Sequence, residues 1–289
     1  MTNKEIRKRG NKVCFVLRKY FSLPCFLVSL FYSMKLSVCV VNHYSEDKLY
    51  KFLESWELFR PDFLYEFIVV DNGSGDEAMA EKLVRMFGPK VQVIRPGSNI
   101  GFGSAMNRAV REAKGEYILV ANPDLELIDN SIGKLLEFAD KMKDFGVIGP
   151  RLIHVDGRVQ ESARRFPRFI DLIANRLPGF RKSKGRYLMR SADLNSETKV
   201  DWMVGAALLM KRDRILEMKG FDERFFLFFE DTDLCRRIKQ AGHDIWYYPG
   251  AVFLHAEKRL SERGFWPFKK VFWIHLASAL KYYRKWGLR

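Results

Sequence analysis

The feature that most constrains this chain is a repeated pattern in residues 35–142. Short apolar runs alternate there with longer segments in which apolar residues recur at helical spacing. The run at 36–41 is nearly continuous in apolar character, as in a strand that is buried on both faces. In the segment that follows, Leu49, Phe52 and Trp56 recur at helical spacing. The alternation predicts an α/β fold in which a mostly parallel sheet is covered by helices on both faces.

The same pattern places the individual elements. Strands are predicted at 36–41, 67–70, 91–94 and 117–120, and helices from Leu49 to a stop before Pro61 and at 78–87, 103–113 and 131–142. Residues 151–199 are rich in arginine and irregular, which suits either a binding segment or partial disorder. Order resumes in a strand-like run at 202–210, a helix at 231–241 and a strand at 245–248.

Charge is the unusual property of the composition. The 289 residues are 47% hydrophobic, which excludes intrinsic disorder, yet they carry a net charge of +15. A surplus of this size attracts phosphates, nucleic acid or an anionic membrane. It is concentrated at the two ends, since residues 1–33 carry +6 and residues 265–289 another +6, which leaves +3 for residues 34–264. A membrane surface explains this layout better than nucleic acid does.

The four cysteines, at 14, 25, 39 and 235, lack the spacing of a zinc site or of a disulfide framework. They predict reduced thiols in a cytosolic protein.

Both terminal segments mix basic and aromatic residues. In the first, the apolar run at 20–32 contains Pro24 and is too short to span a bilayer. Residues 1–33 are therefore either an interfacial anchor or an upstream extension before a true start at Met34. Residues 265–289 contain no acid and predict either an interfacial helix on an anionic leaflet or a terminal helix that packs on the core.

Polar or glycine residues follow four successive predicted strands. They are Asn42 after the first strand, 71–74 after the second, 98–103 after the third and 122–124 after the fourth. In parallel α/β sheets, ligands bind outside the carboxyl ends of the strands, so one shared site would explain all four groups. The alternative is that Asn, Asp and Gly are simply what turns require.

Acidic residues supply candidate chemistry. Asp124, with Asn122 beside it, ends a buried strand where a hard divalent cation could bind. The aromatic run at 225–229 leads directly into Glu230 and Asp231, and an acid beside such a wall can become desolvated and basic enough to take a proton. The same acids would also charge the first turn of the following helix.

Two further polar residues, Asp233 and His255, have both structural and functional interpretations. Asp233 lies one turn before Arg236 and Arg237 and is expected to pair with them on the helix surface. His255 follows a strand-like run, but spacing alone does not distinguish a ligand from a structural histidine.

Several motifs occur in a fixed order. They are Val-Val-Asp-Asn-Gly-Ser at 69–74, Asn-Ile-Gly-Phe-Gly-Ser-Ala-Met-Asn at 99–107, Asn-Pro-Asp at 122–124, Val-Gly-Ala at 204–206, Phe-Glu-Asp-Thr-Asp-Leu-Cys-Arg-Arg at 229–237, and His255 with Ser261 downstream. Together they resemble the inverting nucleotide-sugar glycosyltransferases of family 2, and in particular their bacterial rhamnosyltransferase-like branch, over residues 35–261. The resemblance implies the GT-A fold, a Rossmann-like mostly parallel sheet flanked by helices, with an acceptor-side C-terminal portion.

The resemblance also implies site residues. Asp231 would be the general base, with Glu230 as its neighbour. Asp71 would form a hydrogen bond with the pyrimidine edge of the donor nucleotide. Asp124 would hold Mg²⁺ or Mn²⁺ together with His255, although Asn122 replaces the first acid of the D-x-D motif. The nucleotide-sugar pocket would comprise Asn42, Asp71, Gly73, Asn99, Gly101, Phe102, Ala105, Asn107, Asn122 and Asp124, and the acceptor site Trp202, Gly205 and Ala206.

The implied function is transfer of a sugar, such as L-rhamnose from dTDP-rhamnose, to a lipid-linked oligosaccharide or a cell-surface polysaccharide. Residues 34–264 would form the catalytic domain, with a nucleotide-sugar half at 34–150 and an acceptor half at 151–264. The expected location is cytoplasmic, peripheral on the inner face of the cell membrane, without a specific nucleic-acid partner. The alternatives are a non-catalytic basic nucleic-acid-binding protein and an inactive family 2 scaffold.

Overall fold

The structure, a computed structural model, describes residues 33–142, 144–174, 185–190, 192–256 and 270–288. The predicted N-terminal extension, apart from its last residue, lies outside this range. Within the described residues, no helix combines the length and the apolar character needed to cross a membrane.

The strands are β1 (Leu36–Asn42), β2 (Tyr65–Asp71), β3 (Val91–Ile94), β4 (Tyr117–Ala121), β5 (Leu125–Leu127), β6 (Val147–Ile153), β7 (Ala163–Arg164), β8 (Thr198–Val200), β9 (Trp202–Met203), β10 (Ala207–Lys211) and β11 (Ile245–His255). The helices are α1 (Glu46–Leu58), α2 (Glu77–Phe87), α3 (Phe102–Glu112), α4 (Ser131–Lys141), α5 (Phe169–Ala174), α6 (Arg212–Glu217), α7 (Glu230–Gln240) and α8 (Lys270–Trp286). A 3₁₀ turn at Gly88–Lys90 precedes β3.

A mixed sheet forms the centre of the fold, in the order β3-β2-β1-β4-β10-β6-β11-β5, with β8 beside the first residues of β11. The strands from β3 to β4 are all parallel, as predicted. Strand β10 runs antiparallel to β4, with Ala207 opposite Ala121. The start of β10 therefore lies at the carboxyl end of β4, where a parallel sheet binds its ligands.

Helices cover both faces of the sheet, as the apolar run of β1 predicts. Val38 and Val40 belong to one core cluster, which includes residues of α1, α2 and α4. Cys39 and Val41 belong to a second cluster, which includes residues of α3, α6 and α7. The predicted α/β class, with helices flanking a central sheet, is confirmed.

Three parts of the chain differ from the sequence prediction. The stretch 151–199, predicted as irregular, contains β7, α5 and the start of β8. The run predicted as one strand at 202–210 is divided into β9 and β10. Between them the Val204 N–H donates to Ser162 O, and Ala206 O accepts the Asn122 N–H. Residues 147–153 form β6, although Gly149 and Pro150 suggest a break. A Cβ on Gly149 would lie 2.4 Å from Met203 Cε and 2.9 Å from its Cγ, so any larger residue there would require the Met203 side chain to shift.

Asp233 holds helix α8 against α7. Of its two predicted partners it bonds Arg237, at 2.9 Å, whereas Arg236 donates to the Tyr282 hydroxyl instead. The predicted surface location is wrong, because the carboxylate is fully buried. Its second oxygen lies 2.7 Å from Lys285 Nζ and accepts a hydrogen bond from the Trp286 indole at 2.8 Å. Spacing along one helix showed the first partner, whereas the other two come from a distant segment.

We expect Asp233→Ala to lower the free energy of unfolding by about 3–5 kcal/mol, because it leaves the largely buried Arg237 without its counter-charge and the Trp286 indole without its acceptor, although Lys285 keeps Asp222. Denaturant titration of the full chain measures the loss. The matched control is Asp244→Ala, which removes the carboxylate of an exposed pair with Lys199 and should cost about 1 kcal/mol or less. Equal losses in the two variants would contradict a stabilising role for the buried pair.

Candidate active site

A cavity of about 370 Å³ opens where the carboxyl ends of β1 and β4 meet the starts of β10 and α7. Nine residues that the sequence singled out line it: Phe102, Asn122, Asp124, Trp202, Gly205, Ala206, Glu230, Asp231 and His255. The structure therefore brings the predicted base, the predicted metal pair and the predicted acceptor residues into one space.

Asp231 lies in the first turn of α7 and is held by three hydrogen bonds. One carboxylate oxygen accepts the Gly205 N–H at 2.9 Å, and the other accepts the N–H and hydroxyl of Thr232 at 2.7 and 3.2 Å. Burial raises the pKa of Asp231, while these hydrogen bonds act in the opposite direction. The result is a fixed carboxylate of increased basicity at the cavity wall, which is what a general base requires.

Glu230 precedes Asp231 and is buried more completely. Burial, and secondarily the adjacent Asp231, raises the pKa of Glu230 well above its usual value. Its Oε2 atom accepts no hydrogen bond from the described residues. The two acids therefore differ, because Asp231 has fixed donors whereas this oxygen of Glu230 has none.

Asp124 and His255 form a second group. His255 Nε2 lies 3.2 Å from Asp124 Oδ1, which is buried and accepts no hydrogen bond from the described residues. On its other side, His255 Nδ1 lies 2.8 Å from Gln160 Oε1. Since an amide oxygen can only accept, the Nδ1–H donates to Gln160, and in the neutral ring the Nε2 lone pair faces Asp124.

This arrangement fits a divalent cation. A carboxylate oxygen and an imidazole nitrogen lie 3.2 Å apart, and an outer hydrogen bond fixes the ring tautomer, as is usual for metal-bound histidine. No cluster of three or more His, Cys, Asp or Glu side chains suited to a metal occurs in the part of the chain that the structure describes. Asp124 and His255 would therefore need additional oxygen ligands from water or from a bound diphosphate.

The segment 204–206 connects the two groups. Asn122 N–H donates to Ala206 O at 2.9 Å, and Gly205 N–H donates to Asp231. A Cβ on Gly205 would lie 3.2 Å from Asp231 Cβ, so glycine permits this approach. The break between β9 and β10 thus places the Asn-Pro-Asp motif and the Glu-Asp motif on either side of one backbone segment.

The aromatic loop before α7 packs on the start of α3. Phe226 O accepts the Phe102 N–H at 2.9 Å, and a Cβ on Gly101 would lie 2.7 Å from that oxygen. Phe228 and Phe229 both adopt positive φ, near 69° and 67°, which is uncommon for aromatic residues. Strained backbone of this kind is often found at functional sites, and here it directly precedes Glu230.

The remaining predicted nucleotide residues form a hydrogen-bonded frame that does not line the cavity. Asp71 accepts hydrogen bonds from the backbone and hydroxyl of Ser74. Gly73 has φ near 90°, and a Cβ there would lie 2.6 Å from Asn99 N. Asn99 Oδ1 accepts the Gly101 N–H at 2.9 Å. This frame fixes the loops after β2 and β3 against each other.

Three other predicted residues are buried inside the protein. Asn42 bonds Glu46 and Ser45, and Ala105 lies in the core. Asn107 donates to Phe221 O at 2.9 Å and accepts its N–H at 2.8 Å. These contacts support the loops around the cavity, and direct contact of these residues with a ligand stays a prediction.

Sequence reasoning missed several residues of the cavity wall or its support: Gln160, Arg164, Tyr187 and His275. Leu227 and Phe228 also line the cavity, and they belong to the apolar run that the sequence placed beside Glu230 and Asp231. Gln160, Arg164 and Tyr187 come from the irregular arginine-rich stretch, where no periodicity distinguishes one polar residue from another. The clustering of arginine there was the one available signal.

A family model described as glycosyl transferase family 2 matches residues 37–208, which is more than half of the chain. The chain belongs to glycosyl transferase family 2. The resemblance that the motifs indicate is thereby confirmed, and with it the assignment as a glycosyltransferase.

Individual relatives within the family are rhamnosyltransferases. The N-acetylglucosaminyl-diphospho-decaprenol L-rhamnosyltransferase of Mycobacterium tuberculosis is 33% identical over 236 residues, covering 76% of this chain and 75% of the relative. Rhamnosyltransferase WbbL of Escherichia coli K12 is 28% identical over 253 residues, covering 85% and 91%. This glycosyltransferase is thus similar to both over most of its length.

Solved structures confirm the GT-A fold. The crystal structure of GalNAc-T7 with UDP, GalNAc and Mn²⁺ superposes with a TM-score of 0.61 at 17% identity, covering 82% of this chain and 46% of that one. S. aureus TarS 1-349 in complex with UDP-GlcNAc gives 0.55 at 19% identity, covering 78% and 59%. The family 2 chain spans less than two thirds of either structure, and at this identity the likeness concerns the fold alone.

The raised pKa of Glu230 predicts a specific dependence of stability on pH. The folded state retains the proton while the unfolded state releases it near the ordinary value of 4.5, so stability falls as pH rises above that value. Glu230→Gln removes this loss. We expect the variant to gain unfolding free energy over wild type progressively as pH increases from about 4.5, measured by denaturant titration at several pH values.

The matched control is Glu137→Gln, which removes a carboxylate from the exposed face of α4. A stability difference between Glu230→Gln and wild type that stays constant over this pH range would refute the assignment of a raised pKa to Glu230.

Proposed function

We propose that the chain is an inverting glycosyltransferase that moves L-rhamnose from dTDP-L-rhamnose, or a similar nucleoside-diphosphate donor, to a lipid-linked N-acetylglucosaminyl diphosphate. The observation that carries the proposal is the placement of Asp231 and of the Asp124–His255 pair in one cavity, joined by the segment 204–206. Asp231 is suited to removing a proton, and the Asp124–His255 pair is suited to holding a cation that binds the departing diphosphate.

The reaction requires a base on one side of the anomeric carbon. Asp231 takes the proton of the acceptor hydroxyl, the hydroxyl oxygen bonds to the anomeric carbon, and the bond from that carbon to the diphosphate oxygen breaks. The nucleoside diphosphate leaves with the bonding electron pair. Because attack and departure occur on opposite faces, the anomeric configuration of the sugar is inverted.

Asp124 and His255 are the residues that would hold Mg²⁺ or Mn²⁺. Bound there, the ion would neutralise charge that develops on the leaving diphosphate. The buried, unbonded Asp124 Oδ1 and the Gln160-oriented His255 support this assignment. Since two protein groups make an incomplete coordination shell, we expect the ion to bind together with the nucleotide rather than tightly by itself.

The names of the relatives support the choice of donor and acceptor. The mycobacterial relative is named for L-rhamnose transfer and for an N-acetylglucosaminyl-diphospho-decaprenol, and the Escherichia coli relative for rhamnose transfer. A lipid-linked acceptor in turn favours a catalyst at the membrane surface.

Helix α8 supports a peripheral membrane location. Its buried face, with Tyr282 and Tyr283, packs on Phe225 and Phe229, which agrees with the core-packing alternative for this segment. Its other face exposes Trp273 (58%) and Leu280 (59%), with Lys281 and Arg284 also exposed. Aromatic and basic residues on one helix face suit the headgroup region of an anionic leaflet, so the helix can pack on the core and still contact a membrane.

The decisive test is a panel of nucleotide sugars incubated with an N-acetylglucosaminyl diphosphate prenol, with and without Mn²⁺. We expect dTDP-L-rhamnose to be consumed, the product to carry the opposite anomeric configuration by NMR, and turnover to fall when the metal is chelated. Wild-type protein that transfers no sugar from any donor would contradict the proposal and favour a scaffold. Transfer of a sugar other than rhamnose would refute the donor assignment while leaving the reaction class intact.

Loss of the base should slow the chemical step. We expect Asp231→Asn to reduce kcat about 10²–10⁴-fold, because the amide cannot accept the acceptor proton, while donor affinity is retained. Product formation and nucleotide binding measure the two effects separately. Asp244→Asn, outside the cavity lining, is the control for loss of a carboxylate. Full transfer activity in a folded Asp231→Asn protein would exclude Asp231 as the base.

A further inference from the structure

Arg164 is a fixed cation in the wall of the cavity, beside the acceptor residues. It ends the two-residue strand β7 and lies directly opposite Trp202 of β9. Its guanidinium centre is 5.1 Å from the ring centroid of Tyr187 and 5.3 Å from that of Trp202. Both aromatic rings also line the cavity.

Hydrogen bonds complete this placement. Arg164 Nε donates to Glu161 O at 3.1 Å, and Nη1 donates to the Tyr187 hydroxyl at 2.9 Å. The Trp202 indole is itself anchored by donation to Arg165 O at 2.9 Å. The guanidinium is therefore pre-oriented, and little side-chain entropy remains to be lost when it binds a ligand.

The charge of Arg164 has no ion-pair partner in the part of the chain that the structure describes. No carboxylate lies within ion-pair distance of it there, and its Nη2 has no hydrogen-bond acceptor among those residues. A guanidinium that lines a cavity with open donors is suited to a phosphate group, because its planar fork matches two phosphate oxygens.

We propose that Arg164 binds the phosphate that is attached to the acceptor sugar. The inference rests on the proposed function and deepens it, since it assigns an acceptor-recognition residue. Arg164 lines the cavity together with the base Asp231 and the predicted acceptor residue Trp202, whereas the donor diphosphate is assigned to Asp124 and His255. A lipid-linked acceptor carries a diphosphate next to the sugar that receives the transfer, so its anionic group must lie on the side of the base.

The test compares two acceptors that differ in phosphate. One is N-acetylglucosaminyl diphosphate prenol and the other is an octyl N-acetylglucosaminide without phosphate. We expect Arg164→Gln to raise the KM for the first acceptor about ten- to hundredfold, in line with loss of a charged hydrogen bond, and to leave the KM for the second nearly unchanged. Arg165→Gln is the matched control, because this neighbouring arginine pairs with Asp201 and does not line the cavity.

Two outcomes would overturn the proposal. If both acceptors are affected equally and the pH profile of kcat shifts, Arg164 acts on Asp231 through its charge instead of binding phosphate. If the affinity for the nucleoside diphosphate falls while the KM for the acceptor stays unchanged, Arg164 binds the donor instead of the acceptor. Arg164→Lys keeps the charge without the fork and should restore part of the loss for the phosphorylated acceptor.

A binding experiment separates this inference from the proposed function. Farnesyl diphosphate is titrated calorimetrically into wild-type and Arg164→Gln protein that is saturated with nucleoside diphosphate, so no turnover is required. We expect the probe to bind wild type and to bind the variant about tenfold or more weakly. Equal binding by the two proteins refutes the role of Arg164 even if rhamnose transfer is established. Weaker binding by the variant supports that role even if the donor proves to be another sugar.

Discussion

The hydrogen bond from Gly205 N–H to the Asp231 carboxylate is the contact on which the site depends. It requires the chain to leave the extended conformation between β9 and β10, and it requires a residue without a side chain beside Asp231. The same segment accepts the Asn122 N–H through Ala206 and so joins the end of β4 to the start of α7. One short backbone segment thereby fixes the relative positions of the two acidic motifs.

Asp231 and Asp124 are both carboxylic acids, but their surroundings give them different chemical properties. Asp231 has a raised pKa but keeps three donors, which favours a carboxylate that can accept a proton. Asp124 has an unbonded oxygen beside the imidazole nitrogen of His255, which favours a cation. Under the proposed function, the cavity thus contains distinct places for a base and for a metal-bound diphosphate, and Arg164 adds a fixed positive charge to its wall.

Helix α8 links this chemistry to the surface of the protein. Asp233, two residues after Asp231, bonds Lys285 and Trp286, and the aromatic loop before α7 packs on Tyr282 and Tyr283. His275 of the same helix lines the cavity. Helix α8 is therefore packed directly against the elements that hold Asp231.

The sequence by itself determined the parallel half of the sheet and the location of most of the acidic residues of the site. Apolar periodicity sets the strands and helices, and polar residues follow each strand. Val38 and Cys39 had to face opposite sides of β1, and Asp124 had to lie at the end of β4.

Tertiary structure decided what periodicity cannot encode. The antiparallel entry of β10 placed Gly205 beside Asp231, Gln160 fixed the ring of His255 from 95 residues away, and β7 paired with β9 to place Arg164 over Trp202. Asp233, expected at the surface, became buried for the same reason. These contacts join segments that are distant along the chain, so they form only when the chain folds.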